Sequence, residues 1–304
     1  MSAISITLIL LSCLFHALWN VLTQTSRNSN FLSGFKGMVI IVIALGYLAT
    51  SGSSAVPEGV WVWIVVSGVL HGVYILSLSK AYQTQDISYV YPIARSAPVF
   101  VPVFAWFFLA EHLSISSMSA IVLILVAVYI LHFDGHLIRG FRNLWDAILH
   151  KDMRWAFITL GLVVGYSLVD KQGMDLFIEA RPDQAVENGF AFFFLEALIG
   201  FTLCNLYLFA KHPAQEIGAV WRQEWGRGLV AAVATIGSYG LICVVLQFEE
   251  VSQVVAVRQT SVLMVVLWGV LQLKESFGSQ RILAGGLVVL GVALMGWEPS
   301  ASLP

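Results

Sequence analysis

Charge is what this chain has least of. Asp, Glu, Lys and Arg together make up 11% of its 304 residues, while 58% are hydrophobic. Soluble domains carry about 25% charged and about 45–50% apolar residues, so too little polar surface is available here to cover a water-soluble globule. That scarcity excludes a soluble globular enzyme, a disordered chain and a secreted disulfide scaffold. A net charge of −2 gives no bulk pull toward nucleic acid. Cysteine is scarce too. Cys13, Cys204 and Cys243 lie in apolar runs without paired spacing, which excludes a disulfide or zinc framework. The run His132-Phe133-Asp134-Gly135-His136 has metal-binding letters but falls at the edge of an apolar run, and no metal is assigned to it. P-loops, dinucleotide fingerprints and zinc-protease helices are missing, so no cofactor is expected and no ATP-driven step is offered. Met1–Leu14 contains no Lys or Arg, which argues against a cleaved signal peptide and for a first span that stays.

What the chain does have is long charge-free runs. A helical span needs roughly 20 residues, and such runs fall at 3–23, 32–51, 60–82, 87–110, 115–133, 154–173, 188–210, 227–247, 251–273 and 279–297. Turn and cap signals separate them, among them Ser51–Ser54 before Pro57, Arg181-Pro182-Asp183 and His212-Pro213. The longest polar stretch, 134–152, divides ten spans into two sets of five. The expected fold is therefore an all-α polytopic membrane protein: ten transmembrane helices as two inverted five-helix repeats. Residues 1–133 form the first repeat, 134–152 the connecting loop, 153–297 the second repeat and 298–304 a short tail.

The repeat is visible directly. Residues 87–131 lie over 251–295 without a gap, with eight identities that include Ser88/Ser252 and Glu111/Glu275. An odd number of spans per half inverts the second half relative to the first. Inverted repeats with a site near the midplane are a transporter design. Lys and Arg placement orients the whole. Connections after odd-numbered helices carry Arg27, Lys36, Lys80, Arg139, Arg142, Lys151, Arg154, Lys211, Arg222, Arg227, Lys274 and Arg281, whereas the even ones carry Lys171 and Arg181. The positive-inside rule then puts both termini outside the cell, in the inner membrane if the cell is bacterial.

Ionisable groups within spans are expensive, about 2.5–3.5 kcal/mol each at the centre by insertion scales, and need a partner, water or a function. Arg95 and Arg258 are candidates to anchor an anionic group, with Gln259 at the repeat position of Arg95. Tyr91 lies one turn before Arg95. Pro92, Pro98 and Pro102 are expected to bend helix 4 and free backbone groups toward a cavity. His16 and Asn20, beside Trp19, share one face of helix 1. Tyr166 and Asp170 repeat that spacing in helix 6, and these residues are expected to line one cavity from opposite halves. Glu196 sits in an apolar stretch of helix 7, where a carboxylate needs a proton or a cation. It and Asp170 are the candidates for proton coupling. Tyr74 and Tyr239 offer polar-tipped walls. Glu111 and Glu275 are expected to be structural, each set before a helix N-terminus. Gly68-x-x-x-Gly72 and Gly161-x-x-x-Gly165 are expected to let helices approach closely.

The run Ala81-Tyr82-Gln83-Thr84-Gln85-Asp86-Ile87-Ser88, followed by Tyr91-Pro92, Pro98 and Glu111 before Leu113-Ser114, resembles the EamA repeat of the drug/metabolite transporter superfamily. Gln247–Ser252 through Glu275-Ser276-Phe277 forms the second copy, and His16-Ala17-Leu18-Trp19-Asn20 is similar to the family's opening pattern. Ala256 and Val262 stand where the first copy has Pro92 and Pro98, so the halves are mechanically unequal. The resemblance implies movement of small metabolites such as amino acids, sugars, drugs and phosphorylated compounds. It also implies cytoplasmic termini, against the charge count. Taken together, the expectation is a secondary active transporter, not an enzyme, moving a small anionic or zwitterionic metabolite (an amino acid, phosphonate or phosphate ester) by alternating access. Its partners are the substrate, the bilayer and protons as the candidate coupling ion. The alternatives are a proton-coupled exporter of drugs or hydrophobic metabolites and, from another class, a membrane-embedded enzyme or scaffold.

Overall fold

The computed structural model describes residues 1–52, 56–84, 93, 96–133, 138, 140, 142, 145, 153–264 and 279–297. Its helices, in order, are α1 Ala3–Gln24, α2 Ser29–Ser51, α3 Trp61–Thr84, α4 Ala97–Leu109, α5 Ile115–His132, α6 Arg154–Ala180, α7 Ala185–Lys211, α8 Ala214–Leu246, α9 Val251–Arg258 and α10 Ser279–Trp297. A short 3-10 turn, Glu58–Val60, leads into α3. Side-chain caps start several helices: Ser2 accepts from the Ser5 N–H, Asn28 from those of Asn30 and Phe31, and Ser114 from that of Ser117.

Five helical segments are long and apolar enough to cross a bilayer, Ala3–Gln24, Ser29–Ser51, Glu58–Ala81, Ala185–Lys211 and Ala214–Leu246, and Ala97–Leu109, Ile115–Leu131 and Ile282–Gly296 are shorter apolar helices. Large apolar side chains face outward along them, such as Phe107, Phe108, Val233 and Val289. Helices satisfy their own backbone groups, and this outer belt is the surface hydrocarbon solvates. The protein is an all-helical, polytopic membrane protein.

Much of the helix packing maps onto itself when α1–α5 are exchanged for α6–α10, although the α7–α8 contact has no equal between α2 and α3. The α1 helix packs on α8 as α6 packs on α3, α1 meets α9 as α6 meets α4, and α3 packs on α7 as α8 packs on α2. Three pairs, α2 with α7, α4 with α9 and α5 with α10, join an element to its own counterpart. The chain ends share one face of the bundle, where the Met1 amine donates to the Met295 carbonyl at 3.1 Å and the Ser2 N–H to Glu249 Oε1 at 2.8 Å. On this terminal face Glu111 is buried and accepts from the Val251 N–H (2.6 Å), the Ser252 N–H (3.3 Å) and Ser252 Oγ (2.6 Å). The carboxylate is structural, as expected, but the helix start it caps is α9 of the other half, not the α5 that follows it.

The expected spans needed three adjustments. The α6 helix runs on to Ala180, because Lys171 Nζ is neutralised inside it by Asp175 Oδ1 at 2.6 Å and by the Leu246 carbonyl at 3.0 Å. The α8 helix starts at Ala214 rather than 227, with non-helical geometry at Glu224 marking a kink. Its first arm packs on the start of α2 through Trp221 Nε1, which donates to the Phe31 carbonyl at 2.7 Å. Lys36, counted among the loop cations, lies inside α2 and is buried.

Glycines permit a close approach of α3 and α7. A Cβ at Gly68 would stand 2.7 Å from the Glu196 carbonyl oxygen, and one at Gly72 3.1 Å from that of Gly200. The α3 and α7 backbones therefore meet there, as the first small-residue motif implies. The second motif does no such thing: nothing lies within 4 Å of a Cβ at Gly161, and only Leu70 lies near Gly165.

Candidate functional site

Five helices of the two halves deliver polar side chains to one buried locus. His71, Asp170 and Glu196 each lie ten or eleven residues, roughly 15 Å at 1.5 Å per residue, from the terminal-face ends of α3, α6 and α7. Asp170 has no exposure. Its Oδ1 accepts from Ser67 Oγ and its Oδ2 from the Tyr239 hydroxyl, so α3, α6 and α8 share one carboxylate. Glu196, 2% exposed, places Oε2 3.2 Å from His71 Nδ1. The same Nδ1 lies 3.1 Å from the Ser67 carbonyl and 3.2 Å from Ser67 Oγ. His71 Nε2 points the other way, 4.0 Å from Asp170 Oδ2, and makes no hydrogen bond. The imidazole thus stands between two carboxylates from different helices.

Aromatic rings hold it there. Tyr166 stacks on His71 with centroids 3.9 Å apart, Tyr239 meets its edge at 5.0 Å, and Tyr74 lies edge-on to Tyr166 at 5.5 Å. Arg258, the last residue of α9, lays its guanidinium over the Tyr239 ring at 4.8 Å and, among the described residues, makes no hydrogen bond or ion pair, while its charge stands near enough to act on Asp170. Its carbonyl accepts from Cys13 Sγ at 3.4 Å, which ties α9 to α1. The next residue, Gln259, is buried with Oε1 unpaired, and it interrupts the helix before 260–264 resume.

The sequence-derived candidates divide accordingly. Tyr74, Tyr166, Asp170, Glu196, Tyr239 and Arg258 come together, with Gln259 at the margin. His16, Trp19 and Asn20 form a separate group. Asn20 Nδ2 is spent on the His16 carbonyl of its own helix at 2.8 Å, and the His16 and Trp19 rings meet edge to face at 5.0 Å. The reason is the packing: α1 sits against α8 and α9 while α6 sits against α3 and α4, so α1 and α6 do not share a close interface. Pro98 is the second residue of α4, where a missing N–H costs nothing, and Pro102 lies inside α4. Tyr91, Pro92, Arg95, Glu275, most of 134–152 and the tail 298–304 lie outside the described residues.

Two residues escaped the sequence reading. His71 is the centre of the cluster, and its signal was an ionisable group in the middle of an apolar span. Lys36 had the same signal, masked by its nearness to a helix start.

A helical bundle with outward apolar belts, a twofold-repeated packing pattern and a buried ionisable core is the build of a polytopic membrane transporter. The EamA-like transporter family matches residues 3–133 and 180–297, and the chain belongs to that family. A curated relative from a Sinorhizobium species, an "uncharacterized transporter in cobO 3'region", is 26% identical over 129 residues, covering 40% of this chain and 92% of the relative. A solved structure described only as a crystal structure of a protein superposes with a TM-score of 0.70 over 97% of both chains at 14% identity, a likeness of fold.

Proposed function

We propose that the chain is a secondary transporter that carries a small anionic or zwitterionic metabolite by alternating access, coupled to protons. The observation that supports this most is the Glu196–His71–Asp170 row, because it joins α6, α7 and α3 through groups that can pass a proton. A carboxylate buried without a fixed cation is stable only when it can exchange its proton or meet a cation. Arg258, over the Tyr239 ring and without a hydrogen bond or ion pair among the described residues, can take the acidic group of a substrate, with Gln259 beside it and Tyr74, Tyr166 and Tyr239 as walls. Arg95 and Tyr91 are assigned to the same role. Pro92 and Pro102 keep their role as bending points of helix 4, and His16, Trp19 and Asn20 line the path on the side away from the termini. The two halves divide at 134–152 and rock against each other. The charge bias supports termini outside the cell and a place in the cytoplasmic, or inner, membrane.

A second reading is favoured by one feature, the four rings of His71, Tyr74, Tyr166 and Tyr239 around two carboxylates. That lining also suits a hydrophobic cation, hence a proton-coupled drug exporter. Flux into proteoliposomes under an imposed pH gradient tests both. Competition by phosphonates and amino acids supports the first reading, and competition by hydrophobic cations alone supports the second. If Arg258→Gln leaves anion flux intact, the anchoring role is wrong.

A further inference from the structure

A second charged group lies away from this cluster. Lys36 enters from α2, about 10 Å from its start at 1.5 Å per residue, and is 5% exposed. It therefore does not reach out to water. Its ammonium sits 3.9 Å from the centre of the Trp19 ring and 5.9 Å from that of Phe201. Among the described residues it makes no hydrogen bond and no ion pair. An ammonium buried inside a bundle is costly without an anion, and a π face replaces only part of its hydration. One turn beyond Phe201, the buried Asn205 amide gives its Nδ2 to the Phe201 carbonyl at 3.0 Å and leaves Oδ1 unpaired. Asn205 lies against Gly34 and Gly37, the glycines that flank Lys36.

From this geometry we infer a second binding station, on the half of the bundle away from the termini, where Lys36 over Trp19 takes a small oxyanion: a carboxylate, phosphonate or phosphate. The Asn205 carbonyl oxygen accepts from a hydroxyl or ammonium on the same ligand. One stripe of α1 joins the two stations. Cys13 touches the Arg258 carbonyl, His16 lies one turn on, and Trp19 lies one turn further beneath Lys36. A substrate handed from one cation to the other stays paired throughout the crossing. The inference rests on the anion-transport reading for the class of ligand.

Equilibrium binding tests it without requiring flux. Wild type, Lys36→Met, Lys36→Arg and Arg258→Gln are reconstituted in phosphatidylcholine nanodiscs. Their thermal midpoints are followed against inorganic phosphate, methylphosphonate and glutamate at constant ionic strength. At least one anion is expected to raise the wild-type midpoint saturably. Lys36→Met should then need about tenfold more of it or worse, the loss of one charge-assisted contact, while Lys36→Arg stays close to wild type. In the wild type itself, acylation of Lys36 by an amine-reactive ester, read by peptide mass spectrometry, should slow when that anion is present; this arm holds even if Lys36→Met fails to fold. The inference is overturned if no oxyanion acts on wild type, if Lys36→Met saturates like wild type, or if Lys36 is not protected. Stabilisation by phosphatidylglycerol alone would assign the lysine to a lipid headgroup and overturn it too. Anion binding lost in Arg258→Gln but kept in Lys36→Met leaves the transport reading standing and removes this one.

Discussion

Asp170 and Glu196 reach the same imidazole from different helices, and removing either proton site should uncouple rather than unfold. Glu196→Gln and Asp170→Asn keep volume and hydrogen-bonding capacity. We expect each to cut pH-gradient-driven uptake by about tenfold or more, the scale of losing one charged hydrogen bond, while substrate counterflow without a gradient persists. Equal loss of uptake and counterflow would make these residues binding or folding groups. Glu111 behaves oppositely. Its three hydrogen bonds hold α9, so Glu111→Gln should lower unfolding stability by about 1.5–3 kcal/mol, measured by thermal or denaturant melts, and leave anion affinity near wild type. At this scale the sequence singled out Glu196 and Arg258 as ionisable groups inside apolar runs, Tyr239 as a polar-tipped wall, and Tyr166 and Asp170 by a spacing that repeats His16 and Asn20, but it passed over His71, whose signal was the same as that of Glu196. It was not legible for partners. That Ser67 and Tyr239 would share Asp170 depends on helix rotation, which one sequence does not fix. Lys36 shows the reverse error, since position near a helix start says nothing about which way a side chain turns.

At the level of single helices, the spacing of glycines alone does not separate a packing face from an outer one. Gly68 faces a carbonyl of α7, whereas Gly161 faces open space. Gly68→Ala should therefore destabilise by about 1–3 kcal/mol through overpacking. Gly161→Ala should be neutral or raise stability by up to about 1 kcal/mol, through helix propensity alone. Side-by-side melts check the contrast, and equal effects would contradict the α3–α7 approach. Existence and order of the helices were readable from hydrophobic runs because lipid demands length and apolarity. The ends of α6 and α8 were not, because Lys171 is neutralised within its helix and the arm 214–224 is too polar to be taken for a span.

For the whole molecule, the exchange of α1–α5 with α6–α10 in the packing is what makes a rocking motion about the buried cluster reasonable. The sequence-level pairing of His16 and Asn20 with Tyr166 and Asp170 did not become a spatial one because α1 packs on α8 and α9, and α6 on α3 and α4. Among the described residues, Arg27, Lys80, Arg154, Lys211, Arg222 and Arg227 lie toward the face away from the termini. A C-terminal alkaline phosphatase fusion should accordingly be active outside the cytoplasm, and an inactive one would reverse the orientation.

The central claim, a polar interior reached by water from one face at a time, is tested most directly by accessibility at Tyr74. Tyr74→Cys is placed in a background whose three native cysteines are replaced by serine or alanine, and a membrane-impermeant maleimide is applied to right-side-out and to inverted vesicles. The account predicts labelling from both sides, with transported anion or an imposed pH gradient raising one rate as it lowers the other. Failure to label from either side, or equal rates that nothing shifts, would contradict it.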